Sequence, residues 1–418
     1  MSTLLSVSEA RQRLLASFTP VDAEPVPLPL SSGRVLAEDI HSNQDLPLFD
    51  NSSMDGFAVR SADVSSATPD HPVVLEVVGD IPAGSMSTIT VQAGESARIM
   101  TGAPLPAGAD AVVPVEDTDQ YQHGRLPEGN PPPQVTILKG IRRGGFVRPR
   151  GQDVQKGQKV LSAGARLRPQ DLGLLAMLDY AQVPVHEYPR VAILSTGDEL
   201  LPVGEPLAPG KIHDSNAYTL TAAIRRDGGE PIYLGIVPDL ETAVHEALEG
   251  AIDQEVDLII SSAGVSVGAF DFVRSVVEEY GKLEFWRVNM RPGKPLAFGS
   301  YRGTPFIGLP GNPVSAFVGY EVFVRPALLK LSGLPDSARK SVKVRLEEQV
   351  ESDGRESYLR AIVRPEGGRL AARLTGHQGS GNLLSLVQAN ALLIIPSGVK
   401  SLPADAEVNA WLLDDRDY

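Results

Sequence analysis

The chain has no cysteine among its 418 residues, which excludes disulfides, a catalytic thiol, thiolate metal sites and iron–sulfur clusters together. It also lacks any apolar run approaching the ~20 residues that cross a bilayer. A surplus of positive charge is missing as well. The 38 Lys and Arg against 52 Asp and Glu leave a net charge of −14, the wrong sign for a protein that neutralises nucleic-acid phosphates over a broad surface. The 7 histidines are scattered without H-x-H or H-E-x-x-H spacing, which argues against histidine-bound zinc. Neither G-x-x-x-x-G-K-[ST] nor G-x-G-x-x-G follows a strand, so P-loop and dinucleotide-binding readings lack their warrant. The expectation is a soluble, cytoplasmic protein with neither nucleic acid nor membrane as partner.

What is present is globular: 42% hydrophobic and 22% charged residues, in a length that suits about three domains of roughly 150 residues. The 34 prolines and 40 glycines make about 18% of the chain against a background of about 12%, so turns and short strands are abundant. Ser6 and Glu9 form a capping box ahead of an amphipathic N-terminal helix marked by Leu4, Leu14, Leu15 and Phe18. From Val26 to about Val185, short Val/Ile stretches broken by Pro and Gly, such as Pro72-Val-Val-Leu-Glu-Val-Val78, predict a β-rich region. At Arg190 the texture changes. Strands over 191–194, 231–237, 256–261 and 305–309 alternate with helices over 216–226, 240–254, 272–280 and 313–331, the pattern of a doubly wound parallel sheet. After Leu334 it returns to β, with strands near 342–346, 391–395 and 408–413 that predict a small barrel or sandwich. The fold class is α/β plus β. The division expected is an extended subdomain of residues 1–48 and 151–189, a β-rich subdomain of 49–150, the α/β domain of 190–334, and a β-barrel of 335–418.

In open parallel sheets ligands bind beyond the carboxyl ends of the strands. There the sequence places Ser195-Thr-Gly-Asp-Glu199, Asp239, and Ser261-Ser-Ala-Gly-Val-Ser-Val-Gly268 followed by Asp271, while Asp214-Ser-Asn216 opens a helix. Carboxylates beside hydroxyls and helix N-termini suit a phosphate held through Mg²⁺. Singly, Asp214 and Asp239 read as helix caps; their joint placement favours a site. Two basic elements are an anion site or, equally, a solvated run and a plain turn: Arg142, Arg143, Arg148, Arg150 and Lys156, and Trp286-Arg-Val-Asn-Met-Arg-Pro-Gly-Lys294. Leu309-Pro-Gly-Asn-Pro-Val-Ser315 opens another helix, as an anion-facing N-terminus or only a tight turn. Gly264-Val-Ser-Val-Gly268 fits the G-x-S-x-G elbow, but only His377 follows it, in the β-rich tail, which argues against a serine hydrolase.

Seven segments occur here in the order found in one family: Met54-Asp-Gly-Phe-Ala-Val-Arg60, Met100-Thr-Gly-Ala-Pro104, Ser195-Thr-Gly-Asp-Glu-Leu200, Asp214-Ser-Asn216, Gly264-Val-Ser-Val-Gly268, Arg291-Pro-Gly-Lys-Pro295 and Pro310-Gly-Asn-Pro313. Over essentially its whole length the chain resembles the MoeA family of molybdopterin molybdenumtransferases, which includes the C-terminal domain of gephyrin. The resemblance implies an elongated homodimer of four-subdomain chains, with a central molybdopterin-binding α/β domain and a C-terminal β-barrel. It implies an enzyme that inserts molybdate into adenylylated molybdopterin and releases AMP with Mg²⁺, alongside other proteins of molybdenum cofactor synthesis. By matched position, Asp55, Thr101, Arg148 and Asp153 complete the cleft from the N-terminal half, and Glu199, Asp239 and Asp271 hold Mg²⁺. Arg287, Arg291 and Lys294 face phosphate or molybdate, and Pro310 and Pro313 shape the floor. Ser195, Thr196, Asp214, Ser215, Asn216, Gly264, Ser266, Gly268 and Ser380 bind substrate, with Ser385 nearby. Two departures stand out: Arg287 and Arg291 occupy places where some relatives have lysine, and Ala263 one where many have glycine, which matters only if that position needs positive φ. Competing readings are an adenylyltransferase, whose single domain resembles residues 190–331, and a receptor-clustering scaffold of the gephyrin kind.

Overall fold

The N-terminal helix begins where the sequence places it. The Ser6 hydroxyl accepts from the Glu9 amide at 3.2 Å and caps α1 (Val7–Ala16), which buries Val7, Ala10 and Leu14. A computed structural model describes residues 4–121, 129–263, 272–334 and 339–413. These fall into two compact units, one of Met1–Glu38, Ala163–Leu172 and Ala181–Tyr418, the other of Asp39–Ser162 and Gly173–Tyr180.

In the larger unit the apolar runs become β1 (Arg190–Thr196), α2 (Ser215–Arg226), β2 (Glu230–Val237), α3 (Glu241–Ile252), β3 (Leu258–Ser262), α4 (Phe272–Tyr280), β4 (Gly281–Arg287), β5 (Met290–Arg291), β6 (Pro295–Tyr301) and β7 (Thr304–Leu309). A six-stranded sheet runs in the order β2-β1-β3-β7-β6-β4. Residues alternate across it. Val191 and Ile193 join a core with α1, α2 and the helical segment after 313, whereas Ala192 and Leu194 pack against α3 and α4, so both faces are covered.

The sheet is not wholly parallel, as alternation of strands and helices had implied. β2, β1, β3 and β7 are parallel, but β6 and β4 are antiparallel. The cause is a two-residue turn between Tyr301 and Thr304: Arg302 and Gly303 take φ of 47° and 91°, the positive values that a tight hairpin demands. A second difference lies in the helix predicted over 313–331. It runs as α5 (Pro313–Gly319), a π-turn (Tyr320–Val324) and α6 (Arg325–Leu331). The widened turn carries Glu321 into the interior. That carboxylate accepts from Arg226 at 2.9 Å and twice from Arg339 at 2.8 Å, while the Tyr320 hydroxyl donates to Asp227 at 2.8 Å. Arg339 also donates to the carbonyls of Leu412 and Leu413, tying the last strand of the chain to the same node.

The C-terminal strands β8 (Ser341–Leu346), β9 (Glu356–Glu366), β10 (Arg369–Leu374), β11 (Ala391–Ile395) and β12 (Glu407–Leu412) close into a five-stranded barrel, because β9 pairs with both β10 and β11. β5 leaves the α/β sheet and lies parallel to β9 at the barrel edge, with Met290 opposite Glu356 and Arg291 opposite Ser357. The smaller unit holds a five-stranded sheet of Ala111–Pro114, Gly56–Val59, Glu95–Ile99, Val73–Ile81 and Gln134–Ile137, in that order.

Removing one partner of a buried ion pair strands the other charge. Glu321→Gln is therefore expected to cost about 3 kcal/mol, read as a lowered denaturant midpoint for the unit containing the α/β sheet and barrel. An unchanged midpoint would show that Arg226 and Arg339 do not depend on that carboxylate.

Candidate functional site

At the carboxyl ends of β1 and β3 a cleft of about 720 Å³ opens between the α/β sheet and the barrel, a size suited to a small organic ligand. Asp214 caps α2: one carboxylate oxygen accepts from the Ala217 amide at 3.1 Å, the other from the Tyr233 hydroxyl at 3.0 Å. Burial, followed by the Asp214 charge, pushes the Tyr233 phenol up to about 12, so it remains a donor at neutral pH. Asn216 donates to the Gly311 carbonyl at 2.7 Å and fastens α2 to the Pro310–Pro313 turn. Thr196, Asp214, Ser215, Asn216, Pro310 and Pro313 all line the cleft. The Thr196 hydroxyl, at the cleft wall, is buried without a hydrogen-bond partner among the described residues, an arrangement that suits a ligand because unmet buried polar groups are costly.

Arg291 and Lys294 line the same cleft, as does Ser380, whose carbonyl accepts from the Val314 amide at 3.0 Å. Beneath the Gly379–Ser380 turn lies Arg360, fully buried. Its guanidinium donates to Ser385 Oγ at 3.1 Å and to the Gly379 carbonyl at 2.9 Å. Burial, then the neighbouring Arg291 charge, pushes it down to about 10. Among the described residues no carboxylate pairs with Arg360, Arg291 or Lys294. A buried guanidinium beneath the turn and a second at the cleft wall make this side of the cleft positive.

The opposite rim is acidic. Glu199 lines the cleft, and its carboxylate lies over Gly197, where a Cβ would stand 2.6 Å from Oε2. The Asp239 amide donates to Asp198 at 3.3 Å. Burial, and then the Asp198 and Glu199 charges, raise the Asp239 carboxyl above the usual range. Among the described residues no three Asp, Glu or His side chains gather closely enough to hold a metal by themselves. Asp271, with Gly264, Ser266 and Gly268, lies outside the described residues. Arg287 ends β4 opposite Pro295 and is exposed, away from the cleft-lining set.

In the smaller unit, the Asp55 carboxylate accepts from the Thr101 amide at 2.7 Å and hydroxyl at 2.8 Å. Arg148 donates to Asp153 at 2.5 Å. Asn51 pairs with Arg148 and bridges to Pro104, so the loops that carry these four residues are stitched to one another.

Sequence reasoning missed Arg355, Arg360 and Gln378. Arg360 had left a signal: it is a lone charge inside the apolar run Tyr358-Leu-Arg-Ala-Ile-Val363, and unpaired buried arginine is rare. The departure at Ala263 meets its condition. Ala263 ends β3 in the cleft wall with φ of 89°, a conformation that disfavours any side chain.

The comparisons agree over the whole length. Residues 5–178 match the MoeA N-terminal region (domains I and II), 192–330 a probable molybdopterin binding domain, and 343–413 the MoeA C-terminal region (domain IV). The chain is 41% identical to a molybdopterin molybdenumtransferase of Nostoc sp., over 93% of this chain and 88% of the relative. It is 36% identical to that of Bacillus subtilis, over 98% and 94%. A crystal structure of a molybdopterin biosynthesis MoeA protein from Pyrococcus horikoshii OT3 superposes with a TM-score of 0.81 at 32% identity, covering 98% of this chain and all of that one.

Ala263→Gly should relieve the positive φ and stabilise the protein by about 0.5–1 kcal/mol, seen as a raised unfolding midpoint. A lowered midpoint would mean that the Ala263 methyl, which faces Gly311, packs too well to lose.

Proposed function

This chain belongs to the MoeA family of molybdopterin molybdenumtransferases, enzymes of molybdenum cofactor biosynthesis, and from that premise we propose the following reaction. The cleft takes adenylylated molybdopterin and molybdate, transfers the metal to the dithiolene sulfurs and releases AMP in a Mg²⁺-dependent step. The observation that carries the reading is the Arg291–Arg360 pair. Molybdate is a dianion; Arg291 at the cleft wall supplies charge and forked donors for its oxygens, and buried Arg360, with no carboxylate partner among the described residues, adds positive charge from beneath the Gly379–Ser380 turn. Lys294 adds a third positive charge at the cleft wall, and the Thr196 hydroxyl is free to bond a substrate oxygen. Pro310 and Pro313 shape the floor, and the Asp214–Tyr233 bond holds the N-terminus of α2 toward the ligand.

The acidic rim fits Mg²⁺ in kind. Glu199 and Asp239 offer hard carboxylate oxygens, and the burial and, after it, the neighbouring carboxylate charges that raise Asp239 are what a cation would offset. When bound, Mg²⁺ would offset charge on the substrate phosphates. Asp271 completes this assignment by motif alone. The same reading takes the protein as a cytoplasmic homodimer, assigns Asp55, Thr101, Arg148 and Asp153 to the reaction by motif, and counts other proteins of the pathway as partners.

Arg360→Lys keeps the charge but loses the fork. It is expected to raise the molybdate concentration needed for half-maximal AMP release by about tenfold, measured chromatographically on adenylylated molybdopterin. An unchanged molybdate dependence would sink the oxyanion assignment.

A raised Asp239 binds its proton more tightly folded than unfolded. It therefore subtracts stability above its folded pKa and adds it as pH falls through that value. Asp239→Asn should accordingly raise the melting temperature at pH 7 without Mg²⁺ and abolish the rise that Mg²⁺ gives the wild type. Equal Mg²⁺ responses in both proteins would exclude Asp239 from the metal site.

A further inference from the structure

The cleft holds one arginine unlike the others. Arg355 lines it, yet its donors are already engaged. Nε donates to Asp353 at 3.0 Å, Nη2 donates to the same oxygen, and Nη1 donates to the Met290 carbonyl at 3.0 Å. Asp353 also accepts from the Arg355 amide at 3.1 Å. Arg355 holds the Asp353 carboxyl below the usual range, with Arg291 contributing from further off. The fork that would grip an oxyanion is thus turned onto a carboxylate two residues away, and its remaining arm reaches the residue just before Arg291.

That arm has a specific consequence. Met290 and Arg291 have left the α/β sheet and are held to the barrel by a two-residue parallel pairing with Glu356 and Ser357, a short ladder for the strand that carries the cleft's cation. Asn289 adds a long side-chain bond to Ser397 at 3.5 Å, and its amide donates to the Leu5 carbonyl at 2.8 Å. The Arg355–Met290 bond is the charge-assisted contact in this set.

We propose that Arg355 is a positioning residue for the oxyanion site: neutralised by Asp353, it clamps the Met290 carbonyl to the barrel and so fixes where the Arg291 guanidinium stands in the cleft beside Lys294. The assignment rests on reading the cleft as an oxyanion site. It separates the two arginines that line the cleft into one that meets the anion and one that places it. Because Arg291 grips the anion only from the right position, Arg355 acts on affinity for the anion without touching it.

The test is equilibrium dialysis of molybdate against the purified full-length protein, with wild type, Arg355→Met, Arg355→Lys, Arg291→Ala and the Arg355→Met/Arg291→Ala double variant. Arg355→Met is expected to weaken binding about tenfold, and less than threefold when Arg291 is already gone. Arg355→Lys, which can reach only one of the two partners, should fall between. Without any ligand, backbone amides of residues 288–294 should exchange faster in Arg355→Met. Equal weakening with and without Arg291 would make Arg355 a direct ligand and overturn the proposal. So would wild-type affinity with wild-type exchange. If the wild type takes up no molybdate, the oxyanion reading fails by itself, and unaltered exchange over 288–294 would then refute the clamp independently.

Discussion

The cleft depends on one change of partner along the chain. After Arg287 the backbone leaves the α/β sheet, and Met290 and Arg291 pair with the barrel before Pro295 returns to the sheet. This detour sets Arg291 on the same sheet as Arg360, which stands on β9 three residues beyond the partner of Arg291. An α/β domain alone could present helix N-termini and carboxylates at its strand ends, but not two guanidiniums at a fixed spacing. The barrel is therefore part of the site, and the Glu321 node, which joins α2, the π-turn and the end of β12 through Arg226 and Arg339, is what keeps it there.

Charge in this protein is organised locally. A chain of net charge −14 would repel a dianion at long range, and at physiological ionic strength that repulsion is screened within about 8 Å. Inside the cleft the balance is different. Arg360 is buried and uncompensated, Arg291 is near enough to depress it, and Asp353 spends its charge on Arg355. Near Glu199, burial and then the Asp198 and Glu199 charges raise the Asp239 carboxyl. Local charge at the cleft thus departs from the charge of the chain as a whole.

Much of this was legible in the sequence, and the reasons for the remainder are physical. Buried runs such as Val191-Ala-Ile-Leu194 announce strands because both faces of a covered sheet are apolar. Ser6, Asp214 and Pro313 mark helix starts through capping chemistry that acts locally. The β6–β7 hairpin was missed because its turn is Arg-Gly, where only one of the two positive-φ positions carries the usual residue. The π-turn was missed because a single extra residue per turn leaves the apolar pattern of 313–331 nearly intact. Arg355 and Gln378 were invisible for a different reason: their place in the cleft follows from how the barrel docks, and no local pattern encodes that.

The helix α1 seals the same core as the segment after 313. The Lys330 ammonium reaches the Leu15 carbonyl at 2.7 Å, and the Val21 amide the Leu331 carbonyl at 2.8 Å. Those partners lie more than three hundred residues apart in the chain. A ten-residue helix is too short to persist by itself in water. As the polypeptide emerges from the ribosome, Val7, Ala10 and Leu14 therefore lack the helical segment after 313 that completes their core until some three hundred further residues have been made, while the unit inserted between residues 39 and 180 has its own core in hand much earlier. The helix that leads this unit is thus among the last of its elements to have its whole core available.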